Sequence, residues 1–307
     1  MNNFVEVMNI ITTAIVVILS FIEHFYRKLF PFKKKSLNGK CVLITGGGGG
    51  LGKQLAVNFA KCGARIILWD IHTESNESTA SLLKAMRCEA FSYTCDCGNE
   101  AQVKETALKV QNEIGHIDVL VNNAGIMNAK SITMQTEEQI RKTFDTNVLS
   151  HFWTTKAFLP SMMERNDGHI VTIASTAAIN GSPYLCDYSA SKYALIGYHE
   201  SLTLELREQG FTNIRTTCIC PNFINTGLSV KPKTNVPWLI PILQASEVAK
   251  AIVNAVRTNQ DMLILPKIFY AITVKRLIPF RAQLAIHDYL GIGIEPKSTK
   301  RTKKTTT

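Results

Sequence analysis

The stretch VLITGGGGGLG, Val42 to Gly52, sets a short apolar run directly before five consecutive glycines and a helix-like segment. A pyrophosphate needs backbone N–H groups converging at a helix N-terminus, and glycine lets the main chain approach without a Cβ. Five glycines alone would serve equally well as a hinge, and ordering them costs conformational entropy. Context separates the two. The next apolar run, ARIILWD, ends in Asp70, eighteen residues beyond Gly52. A carboxylate there can accept a ribose 2′-hydroxyl and would repel a 2′-phosphate, so the pattern predicts a dinucleotide site that prefers NAD over NADP. Within the run, Gly46, Gly50 and Gly52 read as the positions that matter, with Gly47, Gly48 and Gly49 as spacers.

Downstream, the runs FSYTCD, IDVLVNNAG, GHIVTIAS and IRTTCICP continue the series, each separated from the next by a helical pattern. Strands alternating with helices imply right-handed crossovers, and nearly continuous apolar strands imply a sheet covered on both faces. The expected fold is a Rossmann-like doubly wound parallel α/β sheet of about seven strands with no internal repeat. One long helix is expected through EEQIRKTFDTNVLSHFWTTKAFLPSMMER and another from Tyr188 to about Gln209.

The two ends differ from this body. From Phe4 to Ile22 the chain is apolar except at Glu6 and Asn9, and Arg27, Lys28, Lys33, Lys34 and Lys35 come after the apolar run rather than before it. That order suits an uncleaved anchor better than a cleaved signal peptide, and puts the chain beyond Lys35 on the cytoplasmic side. Its length is marginal for a span, so spanning the bilayer and lying in one leaflet both remain open. The segment from Asp261 to Ile294 is apolar but punctuated by Lys267, Lys275, Arg276 and Arg281. It suits helices resting on a membrane, closing over a lipid, or packing on the domain. The divisions expected are therefore an anchor with its basic flank (1–35), a catalytic domain (36–260), an apolar extension (261–295) and a polar basic tail (296–307).

The formal charge of +10 is concentrated at these ends, without the interleaved aromatics of a nucleic-acid reader, so an anionic membrane surface is the expected partner and nucleic acid is not. The eight cysteines fall mostly inside strand-like runs and lack metal-ligand spacing. They read as free thiols in a reducing compartment, and no metal is expected.

The residues with chemistry lie in YSASK, Tyr188 to Lys192. Tyrosine and lysine four apart share a helix face, so the ammonium, together with the positive nicotinamide of an oxidised cofactor, would favour phenolate and bring a group of pKa near 10 towards use as a base. Ser175 ends the run GHIVTIAS, thirteen residues earlier, where its hydroxyl can hold a reacting oxygen beside Tyr188. Pro183, Tyr184 and Leu185 would line the approach to Tyr188. In LSVKPKTNVPWLIPILQ, Trp238 with Leu239, Ile240, Ile242 and Leu243 would form an apolar lid over a lipophilic substrate.

The glycine loop reads T-G-x-x-x-G-x-G through Thr45, Gly46, Gly50, Leu51 and Gly52, and with NNAG at Asn122 to Gly125 and the Tyr188/Lys192 pair it resembles the classical short-chain dehydrogenases/reductases over residues 37 to 294. The resemblance implies that Asn123, Ala124 and Gly125 border the cofactor and that Asp96 holds the adenine. Capping of a following turn is the alternative for both Asp70 and Asp96. Asn147 would kink its helix and hold a water that leads protons from Lys192, completing a Ser175–Tyr188–Lys192–Asn147 tetrad in which Tyr188 and Lys192 also touch the cofactor. Pro221, Ile224 and Thr226 in CPNFINTGL would border the nicotinamide, although Asn222 stands where the family often has glycine. NVLSHFWTTKAFLP and TTCICPNFINTGL are similar to the membrane-associated retinol and hydroxysteroid dehydrogenases. That branch implies NAD-dependent oxidation of all-trans-retinol to retinaldehyde by a homodimer at the endoplasmic reticulum or lipid droplets. A hydroxysteroid or other lipid alcohol is the alternative substrate, and a lipid-droplet or membrane binding protein without activity the alternative class.

Overall fold

A computed structural model of the chain describes residues 2–29, 34–226 and 231–296. The basic flank at Lys33, the end of the CPNFINTGL motif at 227–228 and the tail from 297 onward lie outside the described residues.

The chain forms two units, divided between Lys35 and Ser36. The first holds a single helix, α1 (Asn2–Leu29), whose stretch Val5–Ile22 is long and apolar enough to cross a membrane. The apolar side chains described along it are exposed, as expected of a segment with no protein core to enter.

The second unit is built on seven strands: β1 (Cys41–Thr45), β2 (Arg65–Asp70), β3 (Ala90–Thr94), β4 (Val119–Asn122), β5 (Gly168–Ile173), β6 (Ile214–Pro221) and β7 (Met262–Leu265). They pair in parallel in the order β7-β6-β5-β4-β1-β2-β3. The order reverses between β1 and β4, and a crevice opens at the strand C-termini of such a switch point. β7 lies inside the segment expected as an appended extension, so the sheet domain continues past residue 260.

Strand side chains alternate between two cores. Val42, Ile44, Ile66 and Leu68 enter one with α2 (Gly50–Ala60), α3 (Thr73–Ala85) and α8 (Ala245–Arg257). Leu43, Ile67, Trp69 and Leu120 enter the other with α4 (Glu100–Glu113) and α6 (Ser150–Arg165). Burial on both faces removes the polar/apolar alternation of a half-exposed strand, which is why these runs are apolar throughout.

The long helix expected through residues 137–165 is interrupted. α5 (Glu137–Phe144), started by a Thr136/Gln139 capping box, passes into a π-turn over Asp145–Leu149 before α6 begins. The second long helix, α7, spans Cys186–Glu208. The last elements among the described residues are α9 (Phe280–Leu290) and the two-residue strand Gly293–Ile294, which pairs antiparallel with Pro232–Lys233.

Candidate functional site

The glycine loop leaves β1 at the switch point. Thr45 is buried, and its Oγ1 accepts the N–H groups of Asn123 (2.9 Å) and Ala124 (3.0 Å). In return the Asn123 amide donates to the carbonyls of Thr45 (2.9 Å) and Gly46 (3.2 Å). The NNAG segment thus clamps the glycine loop to β4, and Thr45 acts from beneath the surface.

Steric demands divide the glycines differently from the sequence expectation. A Cβ on Gly52 would overlap the Gly46 carbonyl, and Gly46 and Gly50 have φ of +67° and +52°. Gly47 and Gly48 are not spacers: a Cβ on Gly47 would meet Leu68 Cδ2 at 2.8 Å, and one on Gly48 would lie 2.9 Å from the Asn76 backbone nitrogen. Only Gly49 in the run is open, with nothing within 4 Å, and it faces the cleft beside Gly46, Gly50 and Leu51.

That cleft, of about 530 Å³, runs along the strand ends from Asp70 and Asp96 past Asn123, Ala124 and Gly125 to Ser175, Tyr188 and Lys192, with Pro221, Ile224 and Thr226 on its border. Both aspartates line it, and both also cap turns. Asp70 accepts the N–H of His72 (2.9 Å) and that of Gly48 (2.9 Å), while Asp96 accepts the N–H of Gly98 (3.0 Å) and pairs with Lys142 (2.6 Å). Lys142 lines the cleft as well and escapes sequence reading, being one of many exposed-looking lysines on a helix.

Lys192 is buried beneath Tyr188. Its Nζ donates to the Ile173 carbonyl (2.8 Å) and lies 5.6 Å from the centre of the tyrosine ring. Burial lowers its pKa to about 8. Burial also raises the pKa of Tyr188, and the hydrogen bond with Ser175 acts the other way. The sequence reading has Lys192 and the positive nicotinamide of an oxidised cofactor lower the phenol together; in the protein by itself, desolvation wins. Ser175 Oγ also accepts the Ala177 N–H (3.1 Å) at the end of β5.

Asn147 sits buried in the π-turn with its amide fully engaged. Oδ1 accepts the Ile126 N–H (2.7 Å), and Nδ2 donates to the Ile126 carbonyl (3.0 Å) and Ser191 Oγ (3.0 Å). It ties the chain after β4 to the helix that carries Tyr188 and Lys192. Asn222, the departure from the family's glycine, accepts from Thr176 Oγ1 (3.0 Å) and so links the ends of β5 and β6.

Of the expected substrate residues, Leu185 lines the cleft, but Pro183, Tyr184 and Trp238 do not. Pro183 and Tyr184 are exposed on the turn before α7. Trp238 is 79% exposed because Val236 and Ile240, four apart in one tight turn, both enter the core and leave position 238 pointing away. The apolar wall at this end comes instead from Met127, Phe223, Phe269 and Ile292. The last two belong to the C-terminal segment, and no motif spacing marks them.

The lining suits a dinucleotide. Thr146 and Thr226 carry hydroxyls in the cleft wall that have no protein partner among the described residues, and Gly49 leaves the N-terminus of α2 open at a point with no acidic side chain in its first turn. Residues that would hold such a cofactor are the Gly46–Gly52 loop, Asp70, Asp96, Asn123, Thr226 and Lys192.

Residues 40–236 match the family described as short chain dehydrogenase. The chain is 43% identical over 261 residues to estradiol 17-beta-dehydrogenase 11 of Rattus norvegicus, covering 85% of this chain and 87% of the relative. It is 38% identical over 290 residues to human 17-beta-hydroxysteroid dehydrogenase 13, covering 94% and 96% of the two chains. A short chain dehydrogenase/reductase from Burkholderia phymatum, solved in complex with NAD, superposes with a TM-score of 0.72 over 86% of this chain and 99% of its own at 23% identity, which shows a shared fold.

Proposed function

The chain belongs to the short-chain dehydrogenase/reductase family, and from that membership and the cleft's geometry we propose that it oxidises a lipophilic alcohol with NAD. One observation carries the reading: Ser175, Tyr188 and Lys192 converge at the β5/β6 end of a cleft whose β2/β3 end is bordered by Asp70 and Asp96. When bound, the oxidised nicotinamide supplies a hydride acceptor and a positive charge. Tyr188 takes the hydroxyl proton of the substrate, and Ser175 holds the reacting oxygen by hydrogen bonding. Lys192, with a pKa of about 8, can pass a proton onward near neutral pH. Asn147 works through position, keeping Ile126 and Ser191 in register with these groups. Asp70, whose carboxylate stands at the β2 end of the cleft, supports NAD over NADP.

The apolar wall supports a substrate with a greasy body and one polar end. All-trans-retinol is our first candidate, because YTCDC, LIPILQ, LPKIFY and AIHDYLGI resemble epidermal retinol dehydrogenase 2. A hydroxysteroid is the second, favoured by the names of the relatives. The apolar helix α1 supports attachment to the endoplasmic reticulum membrane or a lipid droplet with the catalytic unit in the cytoplasm, and we propose a homodimer formed around α6 and α7.

The test is a membrane fraction expressing the chain, given NAD⁺ or NADP⁺ and a panel of retinol, hydroxysteroids and fatty alcohols. Retinaldehyde or an oxosteroid should form with NAD⁺, and Tyr188→Phe should abolish it while leaving NAD binding intact. Substantial turnover by the phenylalanine variant sinks the assignment of Tyr188, and a strong preference for NADP⁺ removes the role given to Asp70.

A further inference from the structure

The C-terminal segment is fastened to the loop after β6 by one residue in particular. Asn235 Nδ2 donates to the carbonyls of Tyr289 (3.1 Å) and Asp288 (3.4 Å), and its backbone N–H donates to the Leu290 carbonyl (2.9 Å), which also accepts from Thr234 Oγ1 (3.1 Å). These are last-turn carbonyls of α9, which have no partner within the helix. Asn235 is thus a C-cap delivered from another part of the chain. Directly after α9, Gly291 turns through φ +57°, and a Cβ there would lie 2.5 Å from the Asn235 Cγ, so the two residues fit only as a pair. The chain then runs antiparallel to Pro232–Lys233, and the Glu295 N–H donates to the Lys231 carbonyl (2.9 Å).

This clamp holds residues in place at the substrate end. Ile292 lines the cleft next to Phe269. Ile294 is fully buried with Ala129 and Leu185, and Tyr188, Met127 and Phe223 pack against the group they form. Both isoleucines fall beyond residue 236, where the family match ends.

We propose that residues 291–294 are a working wall of the substrate site and that Asn235 is the positioning residue that sets it. The proposal rests on reading the cleft as an alcohol dehydrogenase site. Asn235 touches neither substrate nor cofactor; it acts through Ile292 and Ile294, which fix the size of the apolar space beside Tyr188 and keep water from it. Contacts between this wall and the substrate's apolar body are made equally in the ground and transition states, so loosening it raises KM and leaves kcat nearly unchanged.

The experiment uses the full chain in membranes or detergent, with kcat and KM measured for a long and a short aliphatic alcohol and NAD affinity measured by fluorescence. Asn235→Ala and Asn235→Asp, the latter isosteric but unable to donate to carbonyls, should each raise KM for the long alcohol roughly tenfold, the equivalent of one or two lost hydrogen bonds. Their kcat and NAD affinity should stay within about twofold of the unsubstituted chain. Ile292→Trp should shift preference towards the short alcohol. Gly291→Ala should raise KM in the unsubstituted chain but add less in the Asn235→Ala background, where the colliding side-chain atoms are gone. Unchanged KM in both Asn235 variants, or a rise matched by an equal loss of NAD affinity, overturns the proposal. Amide exchange at Ile292–Ile294 separates this from the reading beneath it. If no alcohol is turned over at all, the proposed function fails. Faster exchange in Asn235→Asp would still support the clamp, and unchanged exchange would remove it.

Discussion

Single residues in the glycine loop differ in what their Cβ would meet, and composition alone hides this. Gly48 and Gly49 are adjacent and chemically identical, yet Gly48 is enclosed by Ser75, the Asn76 backbone and Asp70, whereas Gly49 looks into open space. We expect Gly49→Ala to bind NAD within about threefold of the unsubstituted chain, and Gly48→Ala, whose new methyl group must displace backbone, to lose tenfold or more. Titrating NAD by fluorescence against both variants checks this, and equal affinities would show that the loop relaxes around Gly48. The Ser175, Tyr188 and Lys192 positions are legible in the sequence because one helix turn and one strand end bring them together by local geometry. Trp238 is not, for the opposite reason: its neighbours Val236 and Ile240 decide which way it faces, and their burial depends on tertiary contacts that no local pattern encodes. Tyr188 shows the same limit in electrostatic form, since the spacing gives its nearness to Lys192 but not the desolvation that raises its pKa.

Among the elements, six strands of the sheet can be read directly, five because burial makes them largely apolar runs and the half-exposed edge strand β3 because it falls between two helical patterns. β7 cannot, since the four residues of Met262–Leu265 sit within a longer apolar stretch that resembles an extension. The π-turn at Asp145–Leu149 is the other departure from simple periodicity, as a helical pattern continues through it on either side. Such a turn inserts one residue into the helix and often marks a functional position. Here it carries Asn147, whose three amide hydrogen bonds join the segment after β4 to α7. Asn147→Ala leaves the partly buried N–H and carbonyl of Ile126 without their side-chain partner and opens a void at a buried position, so we expect a loss of about 2 kcal/mol in unfolding free energy. Turnover should fall together with it, because Ile126 lines the cleft and Ser191 adjoins Lys192. Denaturant unfolding followed by circular dichroism measures the first quantity, and an alanine variant as stable as its parent would reduce Asn147 to a passenger of the turn.

Taken whole, the chain carries an apolar helix and a sheet domain, and the second unit buries several bases whose pKa values burial lowers. Burial is the leading cause in each case: His151 is held well below the ordinary histidine range, His199 is lowered to about 4 and Lys192 to about 8. A base whose pKa is lower in the folded state binds its proton sooner when unfolded, so stability rises with pH across the interval between the two values. For His199 that interval runs from about 4 to about 6.5; its contribution is complete above the upper value and is lost as pH falls through the lower one. For Lys192 the corresponding window lies between about 8 and about 10.5, outside the range where the histidines act. We therefore expect the melting temperature of the full chain in detergent to fall by several degrees between pH 6.5 and pH 4, and His199→Gln, which stays neutral throughout, to fall by less. Carboxylates that lose ion pairs over the same range, such as Glu89 with Arg65, act equally in both proteins and cancel in the comparison. Scanning fluorimetry of the pair across this range reads the difference directly, and parallel curves would mean that His199 is already protonated in the folded chain or solvated enough to titrate normally.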